Sequence, residues 1–366
     1  MRGCDAAYTL GFMSQHHLDA SRAAGQASAA AQGQTEEPAA ELAEHRVAKR
    51  LKFSTNGIPV TNRMHLWAHH NSKALIPLDI RTMDDVPLEA SEVNLHFPSL
   101  KFAQVKGSAQ VVERSERFIR QNPMDSIAVF FALEGEAFFY YGDGCESLRA
   151  GQAVIYDADR PFMRGFCKGV RELVLTIPRD DFLVLSGKPL LKPQVFDFKQ
   201  GEAANRHMLA LAKLVSGSLG QAQSGQLSEL ERAEDTALEL LSLLVDGDRT
   251  GMGAGYLATA RSYMEDRLSD PQLSAAEVAA AVGISERHLT RIFAEAGEPP
   301  SLYVLGRRLE LARNILSDPT QRMTPVGQIA AQAGFASQSY FTRAFKSRFG
   351  ATPLQLRKDA LLNNPT

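Results

Sequence analysis

Residues 282–293 read VGISERHLTRIF, and residues 333–345 repeat the plan as AGFASQSYFTRAF. Each copy follows a short Ala-rich segment, passes through a Gly turn and continues into a stretch with a Thr-Arg pair opposite an apolar stripe. Two helix-turn-helix units in tandem can place two reading helices in successive major-groove segments on one face of DNA. The repeat therefore predicts an all-α, DNA-binding domain near the C-terminus.

Local signals predict where these helices begin and end. Gly283 and Gly334 supply the positive φ that a helix exit usually needs. Ser285 and Ser337 follow at positions that can cap the next helix.

The outward faces of the two reading helices carry side chains suited to nucleic acid. Arg bonds a guanine edge with two donors, Gln does the same with adenine, and capped helix N-termini direct N–H groups at phosphates. The predicted base contacts are Arg287, Thr290, Arg291, Gln338, Ser339, Thr342 and Arg343, and the predicted phosphate contacts are Ser285, Ser337 and Lys346. The alternative, that these are solvated faces of ordinary helices, is disfavoured because both copies match. For Arg291 and Arg343, a phosphate contact is as compatible with the sequence as a base contact.

Positive charge is concentrated near the C-terminus rather than spread over the whole chain. The formal net charge is −2 over 366 residues, which excludes a generic polycation. From Tyr256 onward, however, the chain contains 13 Lys and Arg and 10 Asp and Glu, a formal excess of three positive charges. Residues 337–358 carry five basic side chains and no acid. This distribution predicts sequence-dependent DNA binding with a moderate dependence on salt.

Residues 256–358 resemble the DNA-binding domain of the AraC/XylS family of bacterial transcription regulators. The resemblance rests on the repeat, on the linker sequence RLELARNIL at 308–316, and on the closing motif GATP at 350–353 followed by Arg357. It implies that the outward residues of both reading helices contact bases. It also implies that residues 301–316 form a linker helix, about 24 Å long, that is stiff enough to hold the two units in a fixed register on DNA. It also implies RNA polymerase as a partner, and activation rather than repression of transcription.

Short strands at close spacing dominate residues 95–177. The runs 126–133 and 137–141 flank the hairpin signal EGE, and further runs follow Gly turns. Such a series predicts a small barrel or jelly roll, and this part is similar to the cupin-like effector domain of AraC-type regulators. The predicted fold class is α+β multidomain, with an N-terminal cupin-like β-barrel or jelly roll with helices. It ends in a C-terminal all-α domain whose two helix-turn-helix units are joined by a linker helix.

The strands of the predicted barrel are rich in aromatic residues. A pocket for a small-molecule effector is predicted from Phe131, Phe139, Tyr141 and Tyr156, with Arg164 able to pair with an acidic effector. Two alternatives stay open at this point: the aromatic residues can simply fill the core, and Arg164 can form a surface ion pair.

Metal and redox chemistry find little support in the residue pattern. Metal-dependent cupins use two or three His and a Glu inside the barrel, whereas residues 95–177 contain only His96. Cys4, Cys145 and Cys167 lack metal-binding spacing and are predicted to be ordinary buried thiols. We therefore predict no catalytic residue, no metal site and no cofactor. A metal-dependent cupin enzyme fused to a DNA-binding tail, and a regulator controlled by a protein partner, remain alternatives.

Composition divides the chain into six segments. They are a disordered extension (1–50), a cupin-like regulatory domain (51–200), a helical pair (201–246), a Gly-rich linker (247–255), the DNA-binding domain (256–358) and a tail (359–366). The family resemblance implies that the helical pair dimerises, although such a pair also commonly caps its own domain. No run is long and apolar enough to be a signal peptide or a membrane span. Together these features predict a cytoplasmic, homodimeric regulator that binds double-stranded promoter DNA and responds to an unidentified small molecule.

Overall fold

The computed structural model describes residues 48–83, 86–142, 144–166, 169–224, 230, 232–246 and 253–363. These residues belong to one compact unit, which spans His45–Thr366. Among them, no helix is long and apolar enough to cross a bilayer.

Two antiparallel sheets form the N-terminal part. The larger sheet contains, in spatial order, β1 (Lys49–Ser54), β3 (Ala90–His96), β4 (Lys101–Gly107), β11 (Val170–Pro178), β6 (Ser126–Glu134), β9 (Gln152–Asp157) and β12 (Gln194–Asp197). The smaller sheet contains β2 (Asp79–Thr82), β5 (Gln110–Arg114), β10 (Phe162–Phe166), β7 (Glu136–Tyr141) and β8 (Gly144–Arg149). This arrangement confirms the predicted cupin-like fold, and the strands predicted at 126–133 and 137–141 lie within β6 and β7.

Side chains on the two faces of the inner strand β6 belong to two different apolar cores. Phe130 faces the smaller sheet, where it belongs to the same core as Phe139 and Tyr156. Its neighbour Phe131 faces the opposite side and packs in the core that the larger sheet shares with helices. Because successive strand residues point to opposite faces, a strand buried on both sides is apolar without alternation.

Within the described residues, five α-helices accompany the sheets. They are α1 (Val60–Ala74), α2 (Glu116–Gln121), α3 (Arg179–Ser186), α4 (Ala203–Ser224) and α5 (Ala233–Asp246). Helix α1 buries Trp67, Asn71 and Ala74. Helix α4 lies against the larger sheet and buries Met208, Leu211 and Val215 in its core, and α5 packs on α4 and α3. The helical pair that the resemblance implies to dimerise therefore packs an apolar face on its own domain, and dimerisation stays a prediction.

Seven α-helices form the C-terminal part as described between residues 253 and 363. They are α6 (Gly253–Asp266), α7 (Ala275–Val282), α8 (Glu286–Glu295), α9 (Pro300–Ser317), α10 (Val326–Gln332), α11 (Gln338–Phe349) and α12 (Pro353–Asn363). One core lies around Leu289, Ile292 and Phe293, and a second lies around Phe341 and Phe345. These are the matched core positions of the two copies, and α9 confirms the predicted linker helix, one residue longer at each end.

Several predicted boundaries shift by a few residues. Strand β1 begins at Lys49, inside the extension predicted to be disordered, while residues 1–47 lie outside the described part. Helix α6 begins at Gly253, within the predicted linker, whose residues 247–252 are also outside it. Helix α12 extends through most of the predicted tail.

The cysteine prediction is wrong for Cys145. Its side chain is exposed rather than buried, because it lies on the solvent-facing side of β8, the edge strand that pairs with β7. Cys4 and Cys167 lie outside the described residues.

Candidate nucleic-acid interface

The first helix-turn-helix unit is built as its sequence predicts. Ser274 Oγ accepts a hydrogen bond from the main-chain N of Glu277 and begins α7. Gly283 has a φ of 83° and ends that helix in the left-handed conformation. Ser285 then caps α8, its Oγ accepting from the main-chain N of His288 at 3.2 Å. Because both ends are set locally, the reading helix leaves the turn in a defined direction.

The predicted base contacts of the first unit share one surface. Arg287, Thr290 and Arg291 are exposed and line a shallow depression together with Ser285 and His288. Arg291 Nη1 lies 3.8 Å from the Glu295 carboxylate, one helical turn away. An exposed pair at this distance contributes little to stability, so Arg291 can exchange it for a DNA acceptor.

The second unit presents its residues in the same way. Ser337 Oγ accepts from the main-chain N of Tyr340 at 3.3 Å and caps α11. Ser339, Arg343 and Lys346 are exposed along that helix. Gln338 is exposed too, but its amide lies against Gly327 of α10, where a Cβ added to the glycine would come within 2.6 Å of Gln338 Oε1.

The two matched threonines make the same hydrogen bond. Thr290 Oγ1 donates to the carbonyl of Glu286 at 3.0 Å, and Thr342 Oγ1 donates to the carbonyl of Gln338 at 2.9 Å. Both hydroxyl protons are therefore used inside the helices. What each threonine presents outward is a methyl group and acceptor lone pairs, which suits a thymine methyl better than a base acceptor. This detail is not visible in the sequence.

The two units are joined by a contact that the sequence did not single out. Arg308 of α9 donates from Nε to the carbonyl of Leu268 at 2.8 Å and from Nη2 to the carbonyl of Asp270 at 2.5 Å. Gly334, the turn residue of the second unit, packs against this junction with a φ of 82°. A single side chain thus connects the linker helix, the loop after α6 and the second turn. The only sequence signal was the position of Arg308 at the start of the linker motif.

The closing motif has a similar structural task. Arg357 of α12 donates from Nη2 to the carbonyl of Thr324 at 2.8 Å, just before α10. This hydrogen bond of Arg357 connects α12 to the loop that leads into the second unit.

Helix α4 contacts the first unit directly. Arg206 donates to the carbonyl of Ala281, in the last turn of α7. His207 is buried, with Nδ1 at 2.9 Å from Thr259 Oγ1 on α6. Since Thr259 Oγ1 donates to the carbonyl of Gly255 at 3.0 Å, the hydroxyl accepts from His207, which places the proton on Nδ1. Burial, reinforced by the charge of Arg206, lowers the pKa of His207 to about 4, so the ring is neutral at physiological pH.

The predicted effector residues do not all lie together. Phe139, Tyr141 and Tyr156 line one cavity of about 330 Å³ at the end of the sandwich. Phe131 does not, because it lies on the other face of β6 against the helices. Arg164 is also absent from the lining of this cavity.

Arg164 forms a buried ion pair, neither the surface pair nor the effector contact that we considered. Its Nη1 and Nη2 donate to the two carboxylate oxygens of Glu172 at 2.9 and 3.0 Å. The guanidinium carbon lies 4.6 Å from the centre of the Phe130 ring. The prediction was wrong because the sequence does not reveal which face of β10 points inward.

Within the described residues, no group of three or more His, Cys, Asp or Glu is placed to hold a metal ion. The buried acidic side chains of the sandwich instead pair with Arg or amide groups. Glu172 pairs with Arg164, and Glu92 accepts from Asn94 Nδ2 at 2.5 Å.

Comparison with known proteins matches both parts of the chain. A family model described as a helix-turn-helix domain matches residues 278–359, and one described as an AraC-binding-like domain matches residues 67–245. The transcriptional activator RhrA of Rhizobium meliloti (strain 1021) is 37% identical over 102 residues, which are 28% of this chain and 32% of RhrA. The chain thus matches about a third of that relative's length.

A longer match is found to the transcriptional activator NphR of a Rhodococcus species. It is 23% identical over 278 residues, covering 72% of this chain and 79% of NphR. Among solved structures, the AraC-like transcriptional activator CuxR matches at 19% identity with a TM-score of 0.44, covering 72% of this chain and 95% of that one.

Proposed function

The chain belongs to the AraC/XylS family of transcription regulators, and on that premise we propose that it binds promoter DNA sequence-specifically and regulates transcription in response to a small molecule. Helices α8 and α11 enter the major groove, and the cavity of the N-terminal sandwich holds the effector. The chemistry is non-covalent binding, carried out in the cytoplasm, where promoter DNA lies.

One observation carries this proposal. Each unit presents a capped helix whose exposed face repeats the same Thr-Arg pair, with the Thr hydroxyl bonded back to its own helix in both copies. The support lies in the matched Thr-Arg positions of two separate units, since the threonine hydrogen bond itself is one that helical threonines commonly make. Two such faces joined by a helix of 18 residues, about 27 Å long, suit two segments of one DNA face.

Selection of bound sites from random duplex DNA tests the proposal directly. We expect enrichment of a bipartite sequence whose two parts lie about one helical turn, 10–10.5 base pairs, apart. Recovery of sequences with no shared bipartite pattern, at physiological salt, would refute sequence-specific recognition by two helices.

Three finer proposals follow from the family. We propose that the bound protein activates transcription through contact with RNA polymerase, and that it acts as a homodimer. Sedimentation of the full chain with and without its selected DNA tests the dimer. A monomer in both samples at micromolar protein would contradict it.

Transcription in vitro from a promoter carrying the selected site tests activation, and a fall in transcript on adding protein would indicate repression.

The variant Arg343→Ala tests base readout by α11. We expect specific binding to weaken by about 1–3 kcal/mol and the preference at one base position to relax, because a bidentate donor is lost. Competition binding with single-position variants of the selected site measures both effects. Arg120→Ala, an exposed Arg of α2 in the N-terminal part, is the matched control and should change neither. Unchanged preference in Arg343→Ala would remove this residue from the base contacts.

The variant Lys346→Ala tests the phosphate contact three residues further along α11. We expect an even loss of affinity across all sequences and a salt dependence reduced by about one unit of slope. Titrations at several salt concentrations, on specific and unrelated duplexes, measure the slope. A loss confined to one base position would show that Lys346 reads a base instead.

A further inference from the structure

Helix α10 contains a glycine that its backbone conformation does not require. Gly327 is the second residue of this helix and is not among the residues with a positive φ. Glycine in a helix is less favourable than alanine, because it loses more conformational freedom on folding. The backbone of α10 would therefore accept an alanine at this position without strain.

The first helix-turn-helix unit carries a side chain at the equivalent position. Gly327 lies seven residues before the turn residue Gly334, and the residue seven before Gly283 is Ala276. Ala276 is an exposed residue of α7, which is capped at its start and ends at a left-handed glycine. The helix-turn-helix fold does not by itself require glycine here, so the role of Gly327 lies in a contact of the second unit.

That contact is with Gln338, whose amide fills the space that a side chain at position 327 would occupy. A Cβ on Gly327 would lie 2.6 Å from Oε1, 3.3 Å from Cδ and 4.0 Å from Nε2 of Gln338, and these are its three nearest atoms. The oxygen of the amide therefore faces α10, and the nitrogen points away from it. A Cα hydrogen of glycine is a weak donor to a carbonyl oxygen, which is compatible with this orientation.

The amide nitrogen of Gln338 is left available to DNA. Gln338 is the exposed first residue of α11, and its main-chain carbonyl accepts from Thr342, but its side chain has no hydrogen-bond partner among the described residues. A glutamine that reads adenine uses both ends of its amide, because adenine N7 accepts and its N6 amino group donates. With Oε1 against α10, Gln338 presents only its two N–H donors.

We propose that Gly327 is a positioning residue that sets the base preference of the second unit. By leaving space for Oε1, it holds Gln338 as a hydrogen-bond donor only, so that Gln338 binds an acceptor on DNA and does not select adenine. A guanine edge, thymine O4 and a phosphate oxygen all provide such an acceptor. The inference rests on the proposed function, because it specifies how one predicted base contact of α11 reads DNA.

Two glycine variants of the full chain separate this role from helix stability. Gly327→Ala should displace the Gln338 amide, because the end of an exposed side chain moves more easily than the backbone. Gly306→Ala is the matched control, since Gly306 also lies inside a helix, α9, and a Cβ there would meet no atom within 4 Å. The thermal midpoint of unfolding should not fall in either variant, because alanine favours a helix.

Selection of bound sites from random duplex DNA measures the base preference of each variant. We expect Gly327→Ala to gain a preference of about fivefold or more for adenine at one position under α11, because the displaced amide can use both of its ends. The unaltered chain and Gly306→Ala should lack this preference. In the double variant Gly327→Ala with Gln338→Ala the gain should disappear, which identifies the position as the one that Gln338 reads.

The single variant Gln338→Ala identifies the acceptor in the unaltered chain. A loss of affinity at one base position would identify guanine or thymine, and an even loss across sequences would identify a phosphate. Competition binding with single-position variants of the selected site distinguishes the two. Either result agrees with a donor-only Gln338, whereas no loss of affinity at all would contradict it.

Three other results would overturn the proposal. They are an adenine preference of the unaltered chain that Gln338→Ala removes, an unchanged preference in Gly327→Ala, and a gain in Gly327→Ala that persists in the double variant. Failure of the proposed function gives a different result, because the unaltered chain would then select no bipartite site.

Discussion

A Gly334→Ala variant is expected to lose sequence-specific DNA binding and to destabilise the C-terminal helices by about 3 kcal/mol, from backbone strain and overpacking together. The glycine has a φ of 82°, which strains any L side chain. The added Cβ would also lie 2.1 Å from the carbonyl oxygen of Leu268 and 2.8 Å from Arg308 Nε. These atoms form the hydrogen bond that joins the two units, so the methyl group can fit only if that bond breaks.

Gly283→Ala provides the matched control. Gly283 is the equivalent turn residue of the first unit and has a φ of 83°, but its nearest neighbour would be 3.5 Å from the new Cβ. Both variants carry the backbone strain, and only Gly334→Ala carries the clash. Thermal unfolding and DNA competition should therefore show a clearly larger loss for Gly334→Ala. Equal losses would mean that the Arg308 junction does not hold the units in register.

An Arg164→Ala variant is expected to destabilise the N-terminal sandwich by about 3–5 kcal/mol, because it leaves a buried carboxylate without its partner. Both side chains of the pair are less than 5% exposed, at 3% for Arg164 and 4% for Glu172. Burial already raises the pKa of Glu172 even with the guanidinium present. Without Arg164, the folded state must bury Glu172 in its protonated form.

This requirement sets the sign of the pH dependence. A carboxyl whose pKa is higher in the folded than in the unfolded state favours folding at low pH, and that contribution is lost as pH rises through the folded pKa. The decrease in the free energy of unfolding caused by Arg164→Ala should therefore be larger at pH 8 than at pH 5.5, as measured by chemical denaturation. Arg171→Ala, which removes a surface partner of Glu134, is the control and should change stability by less than about 1 kcal/mol.

The double variant Arg164→Met with Glu172→Leu separates charge from packing. Replacing both ions by apolar side chains is often neutral, so we expect most of the stability to return. A double variant as unstable as Arg164→Ala would show that the main effect is lost packing, including the contact of Arg164 with Phe130.

Features that depend on near neighbours in the chain could be predicted from the sequence. The caps at Ser285 and Ser337, the turns at Gly283 and Gly334 and the linker helix are all set within a few residues, and each is confirmed. The roles of these helices in DNA binding stay predictions, although the structure brings the predicted side chains onto common exposed faces.

Features that depend on distant parts of the chain could not be predicted. Phe130 and Phe131 are the same residue type side by side, and only the placement of sheets and helices shows which one faces inward. The partners of Arg164 and Arg308 lie on other elements, 8 and 40 residues away along the chain. The lining of the cavity was missed for the same reason, because residues 139–162 and 190–193 come together only when the segment before β12 folds over the sandwich.

The hydrogen bond from Arg206 to the end of α7 makes the two reading helices unequal. Helix α4 contacts α6 and α7 of the first unit, whereas the second unit is attached through α9 and the Arg308 junction. A change of shape in the sandwich would therefore act on α6 and α7 of the first unit before it acted on the second unit. We expect effector binding to change the affinity contribution of the base pairs under α8 more than that of the base pairs under α11. One half of the operator would then respond to the effector, and the other half would contribute the same affinity in both states.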